Sequence, residues 1–305
     1  MTQFKVKAYK TSRSRKNRLA ESKSDMLFNA VNVIVCGLVL ISIAYPMWFV
    51  LIASFSEPDM IVRGEVIFLP GGASLDAYRE VFRHTRIWRG YWNTIMYTSG
   101  ATFFSLLFTL PAAYALSRQD FVIRKPIMFY FLIPMFFSGG LIPTYMQVMR
   151  LGLLDTFWVM VIPFSVSTFH LIVARTFFAS TIPAELREAA EMDGCSNTRF
   201  FVQIVLPLSQ AIIAVIGLFV AVGVWNSFLN ALLYLQSASR HPLQLILRDI
   251  LIQQQRPMDT AIEALRRAEM LRYALIVVST VPIMCAYPFI QKYFAQGAMI
   301  GSIKG

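Results

Sequence analysis

A charged segment at residues 183–207, PAELREAAEMDGCSNTRFFVQIVLP, lies between two long apolar stretches and holds Glu185, Glu188, Glu191 and Asp193 close together. Carboxylates on a short helix can dock against another protein. Bond-making needs more, and none of the usual sets is present. Cys36, Cys195 and Cys285 are far apart, as are His84, His170 and His241, so no CxxC or histidine ligand set exists and no metal site is expected. No GxxxxGK[ST] phosphate loop occurs anywhere in the chain, so nucleotide phosphates have no backbone cradle. A second group, Trp225, Asn226, Asn230 and Tyr234, has a different chemistry. Asn226, Asn230 and Tyr234 recur every four residues, which on one helix makes a polar stripe expected to face protein or a water-filled cavity, with the flat ring of Trp225 beside it. Interhelical hydrogen bonding and aromatic packing are the competing reading of the same residues.

The acidic segment has the punctuation of a short helix. Pro183 suits the first helical position, where its missing N–H costs nothing, and Glu185 and Glu188 lie early enough to meet the positive helix end. Leu186, Ala189, Ala190 and Asp193 are expected on one face, with Arg187, Glu188 and Glu191 toward another. Gly194 can adopt the left-handed conformation that stops the helix and turns the chain. The result is a rigid charged knob.

The elements that position this knob are membrane spans. The chain is 56% hydrophobic and only 15% charged, with a mean hydropathy of +0.56, too apolar for a soluble domain of 305 residues. Spanning a bilayer takes roughly 20 mostly apolar residues, and six stretches qualify, at about 27–53, 92–116, 127–148, 156–178, 204–235 and 271–294. The fold class is therefore all-α integral membrane. The first stretch is too long for a signal peptide and lacks a small-residue cleavage site, so it is a retained anchor. Every lysine, at positions 5, 7, 10, 16, 23, 125, 292 and 304, falls on one side if both termini are cytoplasmic. The same choice puts residues 183–194 in the cytoplasm. Residues 1–26 form a basic tail, and 27–305 the membrane domain, with an inner loop at 179–203 and outer loops at 54–91 and 236–270. The net charge of +11 follows from topology rather than nucleic-acid binding, because no aromatic-interleaved basic face accompanies it.

Glu188, Ala189, Ala190, Gly194, Ile204, Leu206 and Pro207 fill the pattern EAA, three residues, G, nine residues, I-x-L-P. This resembles the cytoplasmic coupling loop of ABC-importer permease subunits. The segments SLDAYREVF and WNTI, WNSFLNALLYL at 225–235, and the C-terminal YPFIQKYFAQGAMIGSIKG resemble the carbohydrate-uptake, maltose-transporter branch of that family. GGLIPTYMQV, IPAELREAAEMDG and PLQLILRDILI look closer still to its Gram-positive polysaccharide-fragment and lipoprotein-type permeases. The resemblance implies a six-helix bundle in the cell membrane. It implies as partners a homologous permease, two ATPase subunits that bind the ATP and Mg, and an extracytoplasmic solute-binding protein delivering an oligosaccharide. It also implies that Glu188 contacts the ATPase, with Ala189, Ala190 and Asp193 beside it and Gly194 allowing the turn.

Outer residues 236–270 show amphipathic spacing, and the resemblance points Arg248, Gln253 and their neighbours toward the binding protein; a helix packed on its own bundle is the competitor. Pro111, Pro134, Pro143, Pro163, Pro282 and Pro288, with Gly139 and Gly140, interrupt the apolar stretches. A secondary transporter, the alternative from another class, would carry mid-membrane carboxylates and an internal repeat, and the chain shows neither.

Overall fold

A computed structural model describes residues 23–253 and 271–285, together with 288 and 291. Among the described residues every regular element is helical. The helices are α1 Lys23–Ser54, α2 Pro58–Val62, α3 Asp76–Arg83, α4 Thr85–Ser117, α5 Arg124–Phe136, α6 Leu141–Arg150, α7 Trp158–Val161 and α8 Thr168–Thr181. They continue with α9 Ala184–Met192, α10 Asn197–Phe200, a π-helical turn Phe201–Val205, α11 Leu206–Leu208, α12 Gln210–Trp225, α13 Leu229–Tyr234, α14 Leu243–Gln253 and α15 Leu271–Cys285.

Contacts divide the chain into residues 1–49 and 50–305. The described part of the first unit is most of α1, whose apolar window has a mean hydropathy of 2.4 and no buried residue. A helix apolar on every face belongs in lipid. In the second unit α4 is central, 33 residues long and packed most extensively on α12 and α8, then on α14. The buried hydroxyls of Thr98, Thr102, Ser105 and Thr109 recur along it every three or four residues. Such small side chains let neighbouring helix backbones approach.

Among the described residues two helices, Ser24–Ser54 and Thr85–Ser117, are long and apolar enough to cross a membrane, and counting each bent pair as one span gives four. The breaks have causes. The α5–α6 pair bends by 117°, where Gly140 takes φ 82, ψ −179 and Ser138 Oγ accepts from its N–H. The pair formed by Asn197–Leu208 and α12 bends by 80°. Pro207 cannot donate to the preceding turn there, and Ser209 leaves the helical region at φ −108, ψ 22.

The continuous 204–235 helix expected from the sequence is corrected on two counts. Ser209 bends it, and it ends at Trp225, where Asn226 is the C-cap and the chain restarts as α13 at Leu229. Apolarity runs unbroken through these points, which is why hydropathy alone merges the pieces. Of the positions read from sequence, most of the N-terminal tail, the second half of the 236–270 loop, and most of the C-terminal motif fall outside the described residues.

Candidate functional site

The acidic segment folds as α9. Pro183 is its N-cap, at φ −65, ψ 147, one position earlier than expected; its fixed φ fits either place, but its extended ψ puts it outside the helix. The end of α9 is a Schellman motif: Cys195 N–H donates to Ala190 O at 2.9 Å and Gly194 N–H to Glu191 O at 3.0 Å, with Gly194 at φ 75. Leu186, Ala190 and Cys195 pack against a core containing Tyr114, Phe178 and Phe200. Glu185, Glu188, Ala189 and Met192 form the solvent-facing stripe, with Met192 88% exposed. The expected faces are therefore half right. Leu186 and Ala190 turn inward with Arg187, while Ala189 and Asp193 turn outward with Glu188, because contact with the bundle is a narrow i, i+4 seam.

A charged network roots α9 in the bundle. Asp120, in the loop after α4, is gripped by the Arg118 fork, Nε to Oδ1 at 3.0 Å and Nη2 to Oδ2 at 2.5 Å, and accepts from Arg187 Nη1 at 3.1 Å. Arg187 also donates to Glu191 at 3.0 Å, and Arg118 Nη1 to Asn197 Oδ1 at 2.7 Å. The Arg118 hydrogen bonds hold the Asp120 carboxyl at a pKa of about 2, and the same contact raises that of Arg118. Sequence reading missed Arg118 and Asp120. The one signal was an R-x-D step directly after an apolar span, and nothing in it names Arg187 as the partner.

At the other end of α4, about 36 Å away along the helix at 1.5 Å per residue, the WNTI segment holds a different loop. Asn93 Nδ2 donates to Ser239 O and His241 O at 2.8 and 3.0 Å, Thr94 Oγ1 accepts from Leu243 N–H at 2.8 Å, and Tyr97 donates to Arg240 O at 2.9 Å. Asp155, at φ 53, accepts from the N–H groups of Gln236 and Ser237, from the Ser237 hydroxyl and from Arg240. The Ser237 hydroxyl contributes most to lowering its pKa. Asp155 was also unforeseen.

The remaining sequence-derived positions are not brought together as one stripe. Trp225 is buried, and its indole N–H donates to Ser279 O at 3.2 Å, so its ring is core rather than a free stacking platform. Asn226 is exposed and donates to Val222 O at 2.9 Å, Asn230 is half-buried on α13, and Tyr234 is buried and stacked on Tyr145. Arg248 is partly exposed beside Asp249 on α14, a helix whose Leu243, Leu245, Ile246 and Ile250 are buried in the bundle; the Gln253 side chain lies outside the description. Among the described residues no His, Cys, Asp or Glu group could hold a metal ion.

Comparison with known proteins places this architecture. The chain is 40% identical over 264 residues to the polygalacturonan/rhamnogalacturonan transport system permease protein YtcP of Bacillus subtilis (strain 168), covering 85% of this chain and 92% of that one. It is 37% identical over 287 residues to Protein LplC of the same organism, covering 93% and 97%. The crystal structure of a bacterial ABC transporter involved in the import of the acidic polysaccharide alginate aligns with TM-score 0.84 at 32% identity, over 90% of this chain and 99% of the matched chain. Residues 82–299 match the family described as binding-protein-dependent transport system inner membrane component. With that match covering most of the chain and an all-helical, membrane-embedded architecture behind it, the protein belongs to this family: it is a permease subunit of an ATP-driven ABC importer, not an enzyme, and ATP is hydrolysed by a separate subunit.

Proposed function

We propose that this permease imports an acidic oligosaccharide, a fragment of a uronate-containing polysaccharide, handed over by an extracytoplasmic solute-binding protein. The names of its relatives support the substrate class, since polygalacturonan and alginate are both polyuronates. Residues 1–26 are a cytoplasmic tail and 27–305 a six-span domain with both termini inside, the shorter helices completing spans that length and apolarity alone do not pick out. It pairs with a homologous permease and two ATPase subunits, which hold the ATP and Mg.

The observation that carries the mechanism is the outer face of α9. Glu185, Glu188, Ala189 and Met192 stand in solvent on a helix whose inner face is locked by Leu186, Ala190 and the Arg187–Asp120–Arg118 network. A rigid helix with one anchored face and one unpartnered polar face suits docking in a cleft of the ATPase. Ala189 lets that partner approach closely, Glu188 and Asp193 supply charge, and Gly194 turns the chain back to the bundle. ATP binding closes the ATPase pair, moves α9 and its counterpart together, and switches the bundle between inward-open and outward-open states. A switch from 1:99 to 99:1 takes about 5.5 kcal/mol of differential binding.

Asn226 and Asn230 line the path, with Trp225 and Tyr234 as its packed wall, and Arg248 and Gln253 are the proposed contacts for the binding protein. Uptake by the whole complex in proteoliposomes, with ATP and no ion gradient, tests the assignment. Galacturonate and mannuronate oligomers should enter only with ATP and binding protein present. Entry driven by an ion gradient alone would overturn it.

A further inference from the structure

Behind α9 lies a cavity of about 690 Å³ bounded by the end of α4, the loop after it, the first turn of α5, the last turns of α8 and the first turn of α9. Arg118, Arg124, Lys125, Arg175 and Arg187 line it, against only Asp120 and Glu188 as acids. The acids do not neutralise this set. Asp120 is consumed by Arg118 and Arg187, and Glu188 is exposed on α9. Arg124, Lys125 and Arg175 have no carboxylate within ion-pair distance among the described residues. Arg124 donates one N–H to Arg118 O at 3.0 Å and Arg175 one to Leu116 O at 3.1 Å, which leaves the rest of each guanidinium fork unused. Positive charges gathered in a recess, without counter-charge, make a site for an anion.

We propose that this cavity binds a phosphate-bearing anion, with Lys125 and Arg175 as its main charge partners and Arg124 beside them. Guanidinium forks match phosphate oxygens in pairs, and the lysine adds a compact charge. The volume fits a headgroup-sized ligand. The chain between the lining residues Asp120 and Arg124 carries exposed Val122, at 90%, and Ile123, and α5 continues with exposed Phe129 and Tyr130. Exposed apolar side chains next in sequence to a basic recess favour the headgroup of an anionic lipid as the source, with a soluble phosphate the other. Bound there, the anion ties α5 to α8, the helix that leads directly into α9. The site bears on transport through the docking role given above to α9, but the binding itself does not depend on that role.

The test uses the full complex with its ATPase subunits in nanodiscs of mixed phosphatidylglycerol and phosphatidylcholine, scored by native mass spectrometry for retained lipid. Phosphatidylglycerol should be enriched. Lys125→Gln should weaken the enrichment roughly fivefold, the effect of about one surface charge, and Lys125→Glu should weaken it further, while Arg150→Gln leaves it unchanged. Lys125 has no hydrogen bond or ion pair to the Asp120 network, so these substitutions leave that network in place. In pure phosphatidylcholine discs, a thermal shift on adding inorganic phosphate that Lys125→Glu abolishes would identify the soluble anion as the source and still support the site.

Absence of both enrichment and phosphate shift overturns the proposal. So does enrichment that Lys125→Glu leaves intact, which would assign the lipid to other basic residues such as those of the N-terminal tail. Binding by the isolated chain but not by the complex would show that a partner protein fills the cavity, again overturning it. Nanodiscs expose both leaflets and the readout needs no ATP turnover, so failure here is separable from failure of the docking role, which crosslinking from residue 188 reports.

Discussion

A carboxylate held by two guanidinium groups titrates unlike one in water. Asp120 has its pKa lowered from 3.8 to about 2, so its contribution to the folded state is fully present above about pH 4 and is lost as pH falls through 2. Between pH 5 and 8 Asp120 therefore stays ionised, and this carboxylate contributes no pH dependence of transport in that range. Both salt bridges are partly exposed, and such pairs are worth about 0.2–1 kcal/mol each after solvent screening. Asp120→Asn is thus expected to lower the melting temperature little, yet to loosen the root of α9 and cut binding-protein-stimulated ATPase activity severalfold; calorimetry and the coupled assay on one preparation check both halves. Gly194 is a sharper case. Its φ of 75 costs an L-residue about 1–2 kcal/mol, and a Cβ there would meet nothing within 4 Å, so the cost is backbone strain alone. Gly194→Val should abolish stimulated ATPase activity, whereas Gly194→Asn, which tolerates the left-handed region, should retain most of it. Equal loss in both would show that side-chain volume, not conformation, matters at this turn.

At the scale of elements, α9 could be found from sequence because its signals are local: proline before it, glycine after it, and a charged face between. The ends of α12 could not, because Ser209 and Asn226 sit in an apolar run whose hydropathy does not register a bend. The Arg187–Asp120 pair was hidden for another reason, since 67 residues separate partners that only the packing of α4 against α8 brings together. The same holds for Gly90, where α4 meets α14. A Cβ at Gly90 would lie 2.6 Å from Ile246 Cδ1 and 3.1 Å from Leu243 Cα, and the second atom is backbone that cannot swing aside. Gly90→Ala should cost about 1–3 kcal/mol by overpacking and Gly90→Val more. The damage should appear as a lower melting temperature of the detergent-purified complex. Glu188→Ala should show the opposite signature, because Glu188 is exposed and bears no load in the bundle. Its melting temperature should stay unchanged while ATPase coupling falls, by an amount reaching about 2–5 kcal/mol if the partner charge is left buried and unpaired.

For the whole molecule, the two ends of α4 set the geometry that any transport cycle must respect. One end carries the α9 root and the other clamps the 239–243 loop through Asn93, Thr94 and Tyr97. About 36 Å separates Thr94 from Arg118 at 1.5 Å per residue, more than the roughly 30 Å of a bilayer's hydrocarbon core, so α4 is long enough to hold the two loops on opposite sides. Orientation then reduces to one question, which side holds α9. The proposed function has it in the cytoplasm, on the strength of lysine placement and the need for ATP, and thiol labelling decides between the sides. With Cys36, Cys195 and Cys285 replaced, single cysteines at the exposed positions 192 and 240 give one reporter at each end. A membrane-impermeant maleimide on intact cells should label Arg240→Cys and spare Met192→Cys. Permeabilised membranes should label both when the ATPase subunits are absent, and Met192→Cys should become protected when they are restored, because the tip of α9 is then enclosed in their surface. Labelling of Met192→Cys from outside would invert the topology and separate α9 from any ATP-driven partner. Lack of protection with the ATPase bound would leave the topology intact but move the docking surface away from this helix.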